Sequence, residues 1–135
     1  MYIQIQQTST RPVYQQIVDQ IKRDIALGRT VQGDRLPTVR QLASSLTINP
    51  NTIAKAYRQL EQEGVIATKA GAGAFVACSD PGLTKSVKRR RVCAELERAA
   101  VEAYHLHVDR NTLCQWFEQV LTQFQWSKTE GNSHD

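Results

Sequence analysis

The sequence has no apolar run near the roughly 18 residues that a membrane-spanning helix needs, so no segment reads as a span. Its opening, "MYIQIQQTSTRPVYQQ", lacks the basic stretch followed by an apolar stretch that marks a secretory leader. Cysteine is scarce. Cys78, Cys93 and Cys114 are an odd three with no CxxC pair, which fits reduced thiols in a cytoplasmic protein better than a disulfide framework or a thiolate zinc site. There are no internal repeats and no low-complexity region. No Ser/His/Asp or Cys/His arrangement appears in a supporting motif. "GAGAF" lacks the Lys-Ser/Thr of a P-loop and the strand-to-helix setting of a dinucleotide fold. His105, His107 and Asp109 are close in sequence, but an i, i+2 spacing does not place both imidazoles on one helical face, and only an unwound helix end would bring them together. The chain is expected to be no enzyme, to hold no metal and to use no cofactor.

What is present is a modest, uneven positive charge. The 135 residues carry a formal net charge of +4. Residues 1–79 hold 9 Lys/Arg against 5 Asp/Glu, and residues 80–135 hold 8 against 8, so the first part carries the whole excess. A small basic domain is compatible with nucleic acid, though charge alone is a weak signal.

The hydrophobic spacing sets out five helices and a hairpin. Thr10 to Gly28 is expected as the first helix, with Thr10 as N-cap and Pro12 in the first turn. Tyr14, Ile17, Ile21 and Ile25 form its apolar stripe and Gly28 ends it. "GRTVQGDRLP" is a turn-rich connection that Pro37 keeps from being helical. Thr38 starts a short second helix buried through Val39, Leu42, Ala43 and Leu46. A third runs from about Pro50 to Glu63, with Ile53, Ala54, Tyr57 and Leu60 facing inward. Two short helices with a tight link make a helix-turn-helix. "VIATKAGAGAFVAC" then reads as two short strands around a glycine-containing tip, which completes a winged-helix arrangement. "SDPGL" marks a boundary. Beyond it Thr84 to about Leu106 and Asn111 to about Trp126 read as two further helices, followed by the polar tail "SKTEGNSHD". The expected fold is mainly α with a small β-wing: a winged helix-turn-helix domain over 1–79 and a two-helix C-terminal dimerisation region over 80–135.

The start of the third helix carries the candidate chemistry. Asn49 suits an N-cap and Pro50 the first helical position, which leaves Asn51 and Thr52 in the first turn, free of the core. A helix N-terminus offers unpaired N–H groups and a positive dipole end. In a helix-turn-helix it approaches base edges in the major groove, where Asn reads adenine bidentately and Thr bonds a base or touches a thymine methyl. Lys55 and Arg58 follow on the exposed side. Capping alone explains Asn49 and Pro50, but not the basic residues arriving from several segments. Thr38 and Arg40 at the start of the second helix are candidate phosphate contacts. Lys69 and the small residues Gly71, Ala72 and Gly73 form a wing tip that can approach a sugar–phosphate wall.

Taken with "PVYQQIVDQI", Gly28, "GDRLPTVRQLASSL", "NPNTIAKAYRQLEQEG" and "GAGAFV", these features make the chain resemble a GntR-family transcription regulator over roughly residues 10–77. The short two-helix remainder is similar to the YtrA subfamily. The resemblance implies a DNA-binding regulator that acts as a dimer on operator DNA, with contacts from Arg40, Asn49, Asn51, Thr52 and the wing at Gly71 to Gly73. The sequence departs from the family pattern at Pro50 and Ala54, where many members carry basic residues. That shifts weight to Asn51 and Lys55.

The tail has its own logic. Leu113, Trp116, Phe117, Val120, Leu121 and Phe124 form a broad apolar stripe that two helices cannot bury on both sides. A second copy of the chain covers it in the favoured reading, and packing on the chain's own winged helix is the alternative. "KSVKRRR", Lys85 to Arg91, is either a solvated helix surface or a contact to flanking phosphates. The expectation is a homodimeric repressor on a pseudo-palindromic operator of double-stranded DNA, with no membrane partner. A small-molecule effector is compatible with it. The competing classes are a protein-interaction module and a metal- or ligand-gated sensor built on the tail helices.

Overall fold

Among the described residues seven elements form in chain order, and local chemistry sets where each begins and ends. The computed structural model describes residues 1–77, 80 and 82–126. Helix α1 spans Val13–Ala26, α2 Val39–Leu46 and α3 Pro50–Gln62. Strands β1 (Ile66–Lys69) and β2 (Gly73–Val76) follow, then helices α4 (Lys85–His105) and α5 (Arg110–Leu121). Cys78, part of the "SDPGL" boundary and the polar tail from residue 127 lie outside the described residues. No described helix is long and apolar enough to cross a membrane.

The chain divides into two compact units, Met1–Pro81 with Gln125–Asp135, and Gly82–Phe124. In the first, α3 packs against α1, α2 and β1. Its core is one cluster in which Ile17, Val18, Ile21, Ile53, Ala56 and Leu60 are fully buried, joined by Leu42, Ala43, Ile66 and Val76. The Lys22 ammonium and the Glu63 carboxylate form an ion pair that ties α1 to the end of α3. Strands β1 and β2 pair antiparallel, Ile66 with Val76 through Lys69 with Gly73, leaving a three-residue tip. Gly71 sits there at φ 76°. A Cβ at that position would meet open space, so backbone conformation alone requires the glycine.

Several boundaries differ from expectation. The first helix starts at Val13, not Thr10, and its N-cap is Pro12 in an extended conformation. Upstream, the Ser9 hydroxyl accepts from the Arg11 N–H at 3.1 Å, a local turn that competes with an earlier helical start. The last helix stops at Leu121 rather than near Trp126, where the Thr122 hydroxyl donates to the Gln119 carbonyl at 2.7 Å. Phe124 therefore follows the helix instead of completing its stripe. On α3 the fully buried alanine is Ala56; Ala54 is only half-buried.

The N-terminal segment and the turn-rich connection before α2 are both built into the first unit. The N-terminal "YIQIQQ" lies along α1 with Ile3 buried. The Gln4 and Gln6 N–H groups donate to the side chains of Gln20 (2.8 Å) and Gln16 (2.9 Å). Gln16 in turn donates to the carbonyls of Gln6 and Arg11. A buried amide is tolerated here because backbone groups satisfy it. The connection before α2 also pairs with the wing. Arg35 bridges Phe75, the Leu36 N–H donates to the Ala74 carbonyl and the Gly33 N–H to the Val76 carbonyl, both at 2.9 Å.

The second unit is different. Thr84 caps α4 by accepting from the Val87 N–H at 3.2 Å. Yet Ala103 is its one buried residue among those described.

Candidate nucleic-acid interface

All ten residues expected to meet DNA lie in the first unit. The start of α2 is built by a capping box. The Thr38 hydroxyl accepts from the Gln41 N–H at 3.0 Å, and the Gln41 side chain accepts from the Thr38 N–H at 2.9 Å. Two otherwise orphaned donors are satisfied and the first turn is fixed. Arg40 projects from that turn and is exposed, with no acidic residue beside it in the turn.

The turn between α2 and α3 passes through Thr47, in the left-handed region at φ 56°. This residue closes α2 and allows Asn49 to open α3 two residues later. The Asn49 side chain accepts from the Asn51 N–H at 2.8 Å, and Pro50 occupies the first helical position. Asn51, Lys55 and Arg58 are exposed and follow one another at i, i+4 and i+7. They form one polar stripe opposite the buried Ile53, Ala56, Tyr57 and Leu60. Thr52 is half-buried, so it is less free of the core than its sequence position suggests.

Two contacts in this region were not legible as function. Tyr57 is 8% exposed, and its hydroxyl donates to the Pro37 carbonyl at 2.6 Å. The bond fastens α3 to the residue just before the α2 cap, so one buried side chain fixes the two helix starts relative to each other. Burial pushes the Tyr57 phenol up to about 12. The second contact holds Lys55, whose ammonium stands 4.0 Å from the centroid of the Tyr14 ring on α1. A cation–π contact of this kind limits the wandering of a long side chain while leaving Lys55 exposed.

On the wing, Lys69 is exposed and its ammonium lies 5.3 Å from the Phe75 ring centroid. Gly73 adopts φ 100° at the start of β2. The helix starts and the wing tip are thus presented by rigid elements that share one core.

The residues singled out in the second unit are placed as follows. Trp116, Phe117 and Val120 on α5 are 50%, 45% and 42% exposed, while Leu113, Leu121 and Phe124 are half-buried. Lys85 to Arg91 form the first two turns of α4. His107 has a left-handed backbone at φ 61°. The Asp109 carboxylate accepts from the Thr112 hydroxyl at 2.5 Å, which holds its carboxyl below the usual carboxylate value. Among the described residues no group of three or more His, Cys, Asp or Glu side chains comes together as a metal site.

Comparisons with known proteins agree with this architecture. The family model "Bacterial regulatory proteins, gntR family" matches residues 13–76. The HTH-type transcriptional repressor YtrA of Bacillus subtilis (strain 168) is 32% identical over 126 residues, covering 93% of this chain and 97% of YtrA. A transcriptional antiterminator from Listeria monocytogenes EGD-e superposes with a TM-score of 0.79 at 28% identity, covering 97% of this chain and 98% of that one. YtrA from Sulfolobus acidocaldarius, a GntR-family transcription factor, gives a TM-score of 0.58 at 37% identity over 73% of this chain and 97% of that one. With a family match over the winged helix and a 32%-identical relative matched along nearly its whole length, the chain belongs to the gntR family of bacterial regulatory proteins and is a DNA-binding transcriptional regulator with a winged helix-turn-helix.

Proposed function

We propose that the chain is a homodimeric repressor that reads a pseudo-palindromic operator. The observation that carries the base-reading part is the exposed stripe of Asn51, Lys55 and Arg58 at the capped start of α3. The amide of Asn51 meets a base edge, with Thr52 beside it. Thr38, Arg40, Asn49 and the wing residues Lys69, Gly71 and Gly73 hold the backbone on either side. Phosphate contacts of this kind set register and orientation, and base contacts set preference.

The dimer reading rests on the second unit. Trp116, Phe117 and Val120 remain about half exposed, and the unit has almost no interior of its own. Helical pairs of this size need a partner to bury their apolar face. A second copy is the partner a two-fold operator calls for, and Leu113, Leu121 and Phe124 flank the patch. Repression is inferred from the likeness to YtrA, named as a repressor.

The test is an operator selected by the full-length protein from a random-sequence duplex library. The expected product is an inverted repeat with half-sites about one helical turn apart, protected from cleavage on one face of the duplex. Recovery of random duplexes with no shared element would overturn the reading.

A further inference from the structure

One cation beside the wing has no role in the account above. Arg35 lies in the segment leading into α2 and forms an antiparallel bridge with Phe75, so the wing hairpin is backed by a third, very short strand-like stretch. Residues directly opposite in antiparallel pairing share a face. Lys69 is opposite Gly73 and Arg35 is opposite Phe75. Gly73 and Phe75 alternate with the buried Ala74 and Val76. Arg35, Lys69, Gly73 and Phe75 therefore lie together on the outward face of the wing.

The geometry at Gly73 is specific. A Cβ built there would stand 3.2 Å from Arg35 Nε and 3.4 Å from its Nη2. The positive φ accounts for a glycine at 73, but not for a guanidinium laid against it. Arg35 is exposed and makes no ion pair among the described residues. A long cation held against backbone has less rotamer freedom to lose when a ligand arrives. The planar fork of Arg also suits phosphate oxygens. Its place suits the same ligand. Arg35 is three residues from Thr38, about 10 Å at most along the chain, and its head group rests beside Gly73, next to the wing tip. It sits between the two elements assigned to the DNA backbone.

We infer that Arg35 contacts a DNA phosphate from the outward face of the wing, with Lys69 as its neighbour across Phe75, and that Gly73 seats the guanidinium there. The inference rests on the DNA-binding reading above and adds a residue to it. Phosphates are alike in every sequence, so the contact strengthens binding without adding base preference.

The test measures binding of the full-length protein to its selected operator and to a random duplex of equal length, across 50 to 200 mM salt. Wild type is compared with Arg35→Gln and Arg35→Lys, and each variant's melting temperature is recorded. Arg35→Gln is expected to weaken both duplexes by the same factor. It should lower the slope of log affinity against log salt by about 0.9 per protomer and leave the melting temperature in place. Arg35→Lys keeps the slope. Gly73→Ala should displace the guanidinium and add nothing to the loss when combined with Arg35→Gln. Because Gly73→Ala is strained in itself, the Arg35 variants carry the decision. An unchanged slope for Arg35→Gln, with wild type binding its operator, overturns the Arg35 contact and leaves the DNA-binding reading standing. A loss on the operator alone, or a lowered melting temperature, overturns it as well by making Arg35 a base reader or a structural residue. Failure of wild type to bind either duplex overturns both readings.

Discussion

The two units of this chain treat their apolar residues in opposite ways. In the winged helix, Ile17, Val18, Ile21, Ile53 and Leu60 have no exposed surface. In the helical pair, Trp116, Phe117, Val120, Val92, Leu96 and Val101 are all more than 40% exposed, and Ala103 is the one buried residue among those described. The first unit closes its own core and turns polar helix starts outward. The second presents apolar surface larger than an isolated two-helix unit can cover. One unit thus closes a core of its own, and the other is the part that the proposed dimer would complete.

The contrast can be broken most forcefully in the core. Leu60→Ala should cost about 2–5 kcal/mol, read as a lower denaturation midpoint that does not depend on protein concentration. Trp116→Ala should do the reverse. It should leave the winged helix folded and weaken the dimer by roughly 30-fold or more, the loss expected of a hot-spot aromatic, with apparent stability that depends on concentration. Sedimentation across a dilution series checks this, and a dimer unaffected by the change would remove α5 from the interface.

On the polar side, Asn51→Ala should cost about 1–3 kcal/mol on the selected operator and relax the base preference at one position. An equal loss on random DNA would assign Asn51 to the backbone. Tyr57 sharpens the comparison through pH. Its folded pKa is raised by burial to about 12, from an ordinary value of 10.0. The stability it contributes is therefore complete below about pH 10 and lost as pH climbs toward 12. Alkaline unfolding followed by circular dichroism should show that loss in wild type and a smaller one in Tyr57→Phe. The smallest effect is expected at the α2 cap. Thr38→Ala should cost about 1 kcal/mol. Thr38→Asp should keep the cap but weaken DNA binding by placing a carboxylate against phosphate.

Most of the architecture was legible in the sequence because apolar spacing and capping residues act locally. Thr38 with Gln41, and Asn49 with Pro50, announce helix starts within a few residues, and the structure places them there. What was not legible depends on partners distant in the chain. The bridge between Arg35 and Phe75 spans forty positions and involves too few residues to show a period of two. The Tyr57 hydroxyl finds Pro37 only after α3 has docked. Lys55 reads as a free cation until Tyr14 is placed beneath it. The N-terminal segment did leave a signal in the alternation of Ile and Gln in "YIQIQQ", but its partners are the side chains of Gln16 and Gln20 on α1. The stop of α5 at Leu121 had no Gly or Pro to mark it.

The central claim is that a self-sufficient reading unit is paired by an unfinished second one. The measurement that tests it most directly is the affinity of wild type and Trp116→Ala for duplexes carrying one half-site or two. The account predicts that wild type binds two half-sites far more tightly than one, and that Trp116→Ala binds both with the same weak affinity and an unchanged base preference. A Trp116→Ala protein that keeps the full advantage of two half-sites would contradict it.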